Sequence, residues 1–186
     1  MLGNLFGSKE KAPSDADVVW LSGAARLKGL RHDVGVLVED ENSVVVIALS
    51  MAVADELAGT LVEFNPTRCM SIVDAGALRG QLAKAGAVTV AMSGALPGQG
   101  TPDSEVPLEV LVCGRNDRRS ADDDIVRAAA SLARTSHVTF HLSMDDPLLR
   151  AHGANLKPLL EKIGMKEDEP VQHALLSRAI RNAQKK

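Results

Sequence analysis

V44-V-V-I-A-L49 is an unbroken apolar run, mostly β-branched and without polar alternation. That is the pattern of a strand covered on both faces, as in a parallel sheet. Ser50 follows at once as a helix cap, and Val53, Leu57, Leu61 and Phe64 then repeat at helical spacing until Asn65-Pro66 stops the pattern. The same strand-then-helix unit recurs downstream. R68-C-M-S-I-V73 reads as a strand, Asp74 as an N-cap, and the stretch carrying Leu78 and Leu82 as a helix ending at Gly86. A87-V-T-V-A-M92, L108-E-V-L-V-C113 and H137-V-T-F-H-L142 read as further buried strands. Between the last two, Ser120 with Asp123 has the form of a capping box opening a helix through Ile125, Val126, Ala129 and Leu132. Upstream, V18-V-W-L-S22 predicts a short edge strand, and Ala24, Leu27, Leu30, Val34 and Leu37 predict a helix. Strands alternating with helices imply an α/β fold, a parallel sheet whose right-handed crossovers place helices on both faces.

The 186 residues suffice for one core, and with 45% apolar but only 2% aromatic residues that core is built from aliphatic side chains, anchored by Trp20 and three Phe. A net charge of −3 provides no basic field to gather nucleic acid or an anionic membrane. Cys69 and Cys113 stand alone, without metal-ligand or redox spacing, and read as buried reduced thiols. No apolar run approaches membrane-spanning length, so a cytoplasmic protein without an integral membrane segment is expected. Residues 1–16 read as a flexible leader, 17–142 as the α/β domain, and 143–186 as C-terminal helices packing on or extending from it.

In parallel sheets ligands sit beyond the carboxyl ends of the strands. This points to the Gly/Pro-rich loop S93-G-A-L-P-G-Q-G-T-P-D-S-E-V-P107 and to the turn after Cys113. A91-M-S-G-A95 loosely matches a nucleophile elbow at Ser93, for which His152 and Asp145 or Asp146 are the available triad partners. His137 and His141 share one strand face but lack a third metal ligand, and Asp122, Asp123 and Asp124 fit the favoured first turn of a helix. No catalytic residue and no metal site is assigned from these patterns.

The C-terminal part carries a family pattern. The run F140-H-L-S-M-D-D-P-L-L-R150, the pair Gly164-Met165, then E169-P-V-Q-H173 and R178-A-I-R-N-A-Q-K-K186 resemble the end of the second motor domain of SecA, the bacterial preprotein translocase ATPase, where the chain passes into the scaffold helix. M1-L-G-N-L-F-G-S-K9 is similar to the start of SecA proteins. Upstream, G98-Q-G-T-P-D103 is similar to the family's Gly-Arg-Gly-Thr-Asp segment, with Gln99 in place of the arginine. R115-N-D-R-R-S120 and D123-D-I-V-R127 resemble the approach to its arginine-finger helix, whose motif is Q-x-x-G-R-x-G-R. The register that keeps Arg127 places Ile125 near the glutamine and A128-A-A-S-L-A-R134 across the glycines and arginines.

The resemblance implies a RecA-like (P-loop NTPase-type) domain followed by a short helical segment. It also implies that any remaining weak ATP or ADP contact involves Gly98, Gly100, Thr101, Asp103, Arg118, Arg119 and Arg127, with no other cofactor. No G-x-x-x-x-G-K-[ST] occurs in the sequence. An arginine finger is worth roughly 10³ to 10⁵ in rate. The expectation is therefore a degenerate ATPase domain, not an enzyme on its own, acting through protein contacts in or near protein export. A translocase component, or a P-loop domain on another chain, is the expected partner. The last helix carries the implied interface: Val171, Leu175, Ala179, Ile180 and Ala183 form an apolar stripe, and Gln172, Leu175, Arg178, Arg181 and Gln184 are the candidate partner contacts. The alternative is a stand-alone α/β module that binds a nucleotide or other anion at the 93–107 loop. A serine hydrolase ranks third.

Overall fold

The β-branched run at residues 44–49 becomes β2 (Ser43–Ala48), buried along its whole length, and the sheet is laid out on either side of it. The structure, a computed structural model, describes residues 16–97, 104–152, 166 and 169–184. The remaining strands are β1 (Ala16–Trp20), β3 (Thr67–Cys69), β4 (Val88–Met92), β5 (Leu108–Cys113) and β6 (Ser136–Ser143). They form one sheet in the order β1-β6-β5-β2-β4-β3 with every neighbouring pair parallel. The expected doubly covered parallel sheet is thus present, with β1 at an edge.

The helices that accompany it include α1 (Gly23–Glu39), α2 (Met51–Thr60), α3 (Ala75–Leu82), α4 (Arg119–Ala130) and α5 (Ala174–Ala183). Residues 147–152 are also helical. Side-chain alternation sorts the helices into two layers. Val44, Val46, Ala48, Val88, Val90 and Leu111 face α1 and α2, packing with Leu30, Val34, Ala54 and Leu57. Val45, Ile47, Val110, Val112, Val138, Phe140 and Leu142 face the opposite way, toward Leu78, Leu82, Ile125, Ala129, Leu176 and Ile180 of α3, α4 and α5. No described helix is long and apolar enough to cross a membrane.

Local chemistry explains the element ends. Ser50 caps α2 by accepting from the Val53 N–H at 3.3 Å, as expected. Asn65 takes the left-handed conformation (φ 48°) that stops the following turn. Two expectations change. The strand predicted over 68–73 ends at Cys69, because the Asp74 carboxylate accepts from the backbone N–H groups of Met70 and Ser71 and draws the chain into a 3₁₀ turn. Asp74 does stand at the N-cap of α3, as expected, but its side chain makes no capping bond there and serves instead as the acidic half of a capping box with Ser71. Ser120 and Asp123 do not cap α4, which begins two residues earlier than a Ser120 cap would place it, with Arg118 at its N-cap and no side-chain bond there.

The C-terminal segment closes an open edge. Val171 pairs antiparallel with Val19, the two exchanging backbone hydrogen bonds of 2.9 and 3.0 Å, so the outer side of β1 is covered. Of the expected stripe on α5, Ile180 is in the core and Ala179 and Ala183 are packed against it. Leu176 rather than Leu175 is the other buried leucine.

On the α1 side, the outer rim of the Trp20 indole abuts Gly29, where an added Cβ would overlap the ring. Replacement of Gly29 by Ala is expected to cost about 2–3 kcal/mol by overpacking. A urea titration followed through the fluorescence of the single Trp20 measures it.

Candidate functional site

The chain leaves β4 on one side of β2 and re-enters the sheet as β5 on the other. The crevice beyond the carboxyl ends of these strands is the place where such a fold holds ligands. A cleft of about 350 Å³ occupies it, lined by Ser93, Gly94 and Leu96 after β4 and by Asn116, Asp124, Ile125, Arg127 and Ala128 around α4. Arg127 is exposed and held at 2.6 Å by Asp124, three residues before it on the same helix. Asp124 therefore partly neutralises the one arginine lining this cleft.

The remaining expected nucleotide contacts do not converge on it. Gly98, Gly100, Thr101 and Asp103 lie outside the described residues, as does Gly164-Met165. Arg118 is exposed at the α4 N-cap, and Arg119 lines a different groove, with Arg178 and Arg181 of α5. Along the positions aligned with the finger motif, Ala128, Ala129, Leu132 and Ala133 are buried in the core. Arg134, at the end of that run, pairs with Glu105 at 2.5 Å.

The hydrolase constellation is not assembled. Ser93 follows β4 and the Asp145–Asp146 pair follows β6, three strand positions away, a separation of about 14 Å at the usual strand spacing. Both carboxylates are engaged in structure: Asp145 accepts from the Gly23 N–H at 2.8 Å, and Asp146 accepts from Ser143 and from Arg26. His137 is exposed and pairs with Glu109 at 2.7 Å, while His141 is buried. Among the described residues no group of His, Cys, Asp or Glu could hold a metal ion. Cys69 and Cys113 are buried free thiols; burial pushes Cys113 up to about 11, with opposing effects from Arg26 and from Asp146 and Glu56.

The densest polar array lies one strand over and joins four segments of the chain. Arg115, just past β5, donates from Nε to Asp17 of β1 at 2.6 Å and from Nη1 to Asp122 of α4 at 3.0 Å. Its guanidinium carbon sits 3.8 Å from the centre of the Phe140 ring. Asp122 accepts further from the Asn116 backbone at 3.1 Å and side chain at 2.8 Å. Gln184 donates to Asp122 at 2.6 Å and to the Asn116 carbonyl at 2.7 Å. Burial opposes the charge on Arg115, but Asp17 and Asp122 outweigh it, and the guanidinium pKa is held above its ordinary value.

This array corrects the expectation of Gln184 as a partner contact: its side chain is buried and committed to Asp122 and Asn116. Gln172, Leu175 and Arg178 are exposed on α5 and just before it, and Arg181 is half-buried. Sequence patterning passes over Arg115, Asp17 and Asp122, because each resembles an ordinary loop, leader or first-turn charge. The available signal is a charged residue at the end of a largely apolar run, as Asp17 is before V18-V-W20 and Arg115 is just after Cys113-Gly114.

Two expected outcomes follow from this geometry. Arg115→Met leaves Asp17 and Asp122 buried without their cation and should cost about 3–5 kcal/mol in chemical denaturation. Gln184→Ala should instead lower hydrogen-exchange protection locally in α5, by about 1–2 kcal/mol, and leave the central strands protected. His141 supplies a third expected outcome. Burial, aided by Arg26, lowers its pKa from 6.5 to about 4, so the folded protein holds it neutral. Its contribution is fully present above the unfolded value of 6.5 and is lost as pH falls toward 4. The loss amounts to about 3 kcal/mol. The stability of the parent relative to His141→Leu should therefore fall by about 3 kcal/mol in denaturation as pH is lowered between those two values.

No family model matches the chain. It is 28% identical over 184 residues to the SecA protein translocase subunit of Desulfotalea psychrophila, an alignment covering 92% of this chain and 21% of that protein. The SecA subunit of Syntrophobacter fumaroxidans matches at 28% identity over 186 residues, covering 92% of this chain and 22% of its own length. A shorter match to the SecA subunit of Syntrophus aciditrophicus reaches 36% identity over 80 residues, 42% of this chain and 10% of the relative. The chain thus spans about one fifth of the first two relatives' length. Among solved structures, the C-terminal part of the Fun30 ATPase domain superposes with a TM-score of 0.52 at 10% identity, covering 85% of this chain and 52% of that one. The T4 UvsW structure gives a TM-score of 0.52 at 14% identity, covering 86% of this chain and 32% of that one. The chain is thus similar in sequence to part of the SecA translocase subunit and has a RecA-like fold of the helicase C-terminal type, a combination that fits a SecA second motor domain.

Proposed function

We propose that the chain is a SecA-like accessory protein, a degenerate second motor domain that acts through protein contacts in or near protein export, on the cytoplasmic side, and does not hydrolyse ATP by itself. The observation that carries this reading is the use made of α4 and the residues after it. Positions that the family resemblance assigns to glycines and arginines are spent on apolar packing by Ala128, Ala129, Leu132 and Ala133, and Arg127 and Arg134 are paired with Asp124 and Glu105. A transferring phosphoryl group needs unpaired, preorganised cations beside it, and a P-loop to hold the nucleotide. The 186 residues contain no P-loop motif. SecA is a translocase subunit by name, and protein contacts in export are the part of that role this fold can retain without turnover.

A second reading draws on the cleft itself: about 350 Å³ at the switch point of the sheet, with Arg127 on its wall, suits a nucleotide or another anion. Titration of the magnesium complexes of ATP and ADP against amide shifts separates the two. Saturable shifts confined to the 93–107 loop and the start of α4 favour the binding module.

The purified chain is expected to release no phosphate from magnesium ATP above the buffer rate, and Arg127→Ala to leave that result unchanged. Turnover that disappears with Arg127→Ala would overturn the proposal. Site-specific photocrosslinking from position 175 in bacterial cells, expected to capture an export component, tests the contact directly.

A further inference from the structure

A groove of about 410 Å³ runs between the first turn of α4 and the outward side of α5, lined by Arg119, Ala174, Ser177, Arg178, Arg181 and Asn182. We infer that this groove is a docking site for an acidic segment of a partner protein, one carrying carboxylates beside an apolar side chain. The inference rests on the protein-contact reading above and names the chemistry of the contact.

Charge makes the case first. Arg26, Arg31, Arg68, Arg115, Arg127 and Arg134 each have an acidic partner within ion-pair distance. Arg119 and Arg178, both exposed, have none among the described residues, and they border one groove together with Arg181. Like charges gathered in a chain of net charge −3 call for an external anion. Guanidinium groups match carboxylates by paired, planar hydrogen bonds.

Backbone geometry adds to it. The groove contains the first residues of both helices, Arg119 of α4 and Ala174 of α5. Arg118, at the N-cap of α4, supplies no side-chain acceptor, so that positive helix end is uncapped by side chains. Leu175, 55% exposed, does not line the groove but stands next to it as an apolar neighbour, with the lining residues Arg178 and Asn182 three and seven positions on along the same helical face.

The pattern disfavours nucleic acid. Among the described residues no aromatic side chain is one of the exposed large apolar groups, so bases have no ring there to stack on.

The test uses the full chain, a labelled peptide alternating glutamate with leucine, inorganic phosphate and a single-stranded oligonucleotide. The peptide should bind saturably, with amide shifts concentrated at 119–121 and 174–182, and should weaken as salt rises. Arg119→Glu and Arg178→Glu should each reduce affinity about tenfold. The first places an acid in the opening turn of a helix, where it favours folding, so loss of binding with an unchanged melting curve is not loss of structure. Absent peptide shifts, unchanged affinity in both variants, or displacement of the peptide by phosphate or the oligonucleotide would each overturn the inference. Should the crosslink from position 175 persist in both variants while the peptide fails to bind, the protein-contact reading stands and the acidic groove falls.

Discussion

A positive charge with almost no access to water constrains this structure more than any other single group. The Arg115 side chain is 1% exposed, and so far from solvent a guanidinium is tolerable only with its counter-charges fixed around it. Those charges come from Asp17 on the edge strand and Asp122 on α4, and Phe140 offers its ring face. Because the donors and acceptors belong to β1, the end of β5, α4 and the end of α5, none of these can shift without stranding a buried charge. The array thus fixes the edge of the sheet and the position of the last helix at once.

Attachment of the C-terminal segment has three parts of different character. Val171 supplies directional backbone bonds to β1, Leu176 and Ile180 supply non-directional burial, and Gln184 ties the far end of α5 to Asp122. Hydrophobic contact alone would leave the helix free to slide along its axis; the polar ends set its register. One consequence is functional. With the apolar side turned inward, α5 presents Gln172, Leu175 and Arg178 outward. Arg178 lines the groove shared with Arg119, whereas the cleft at the β4–β5 switch is lined by a different set of residues.

Much of the architecture was legible from the chain. The continuous apolar run at 44–49 and the largely apolar runs at 87–92 and 108–113 call for cover on both faces, and helical spacing between them supplies that cover. Failures arose where side chains compete with the backbone. Asp74 diverts the third strand by bonding main-chain amides, and α4 begins without the expected cap at Ser120, with Asp122 turned inward to bond the Asn116 backbone and Arg115. The exchange of Leu175 for Leu176 in the core is a matter of one residue's rotation, about 100°, which spacing does not resolve.

Periodicity and residue type by themselves determined the parallel α/β class, the two-layer cover and, through the tail motifs, the relation to SecA, because burial patterns and family runs are local in the chain. Tertiary structure alone decided that Asp17, Arg115, Asp122 and Gln184 meet, that Asp145 and Asp146 hold α1 and β6 rather than a nucleophile, and that Arg119 and Arg178 share a groove. These partners lie from 7 to 122 residues apart. A charge carries no mark in sequence of the distant group that will neutralise it; only packing, which makes an unpaired buried charge too costly to keep, selects the partner.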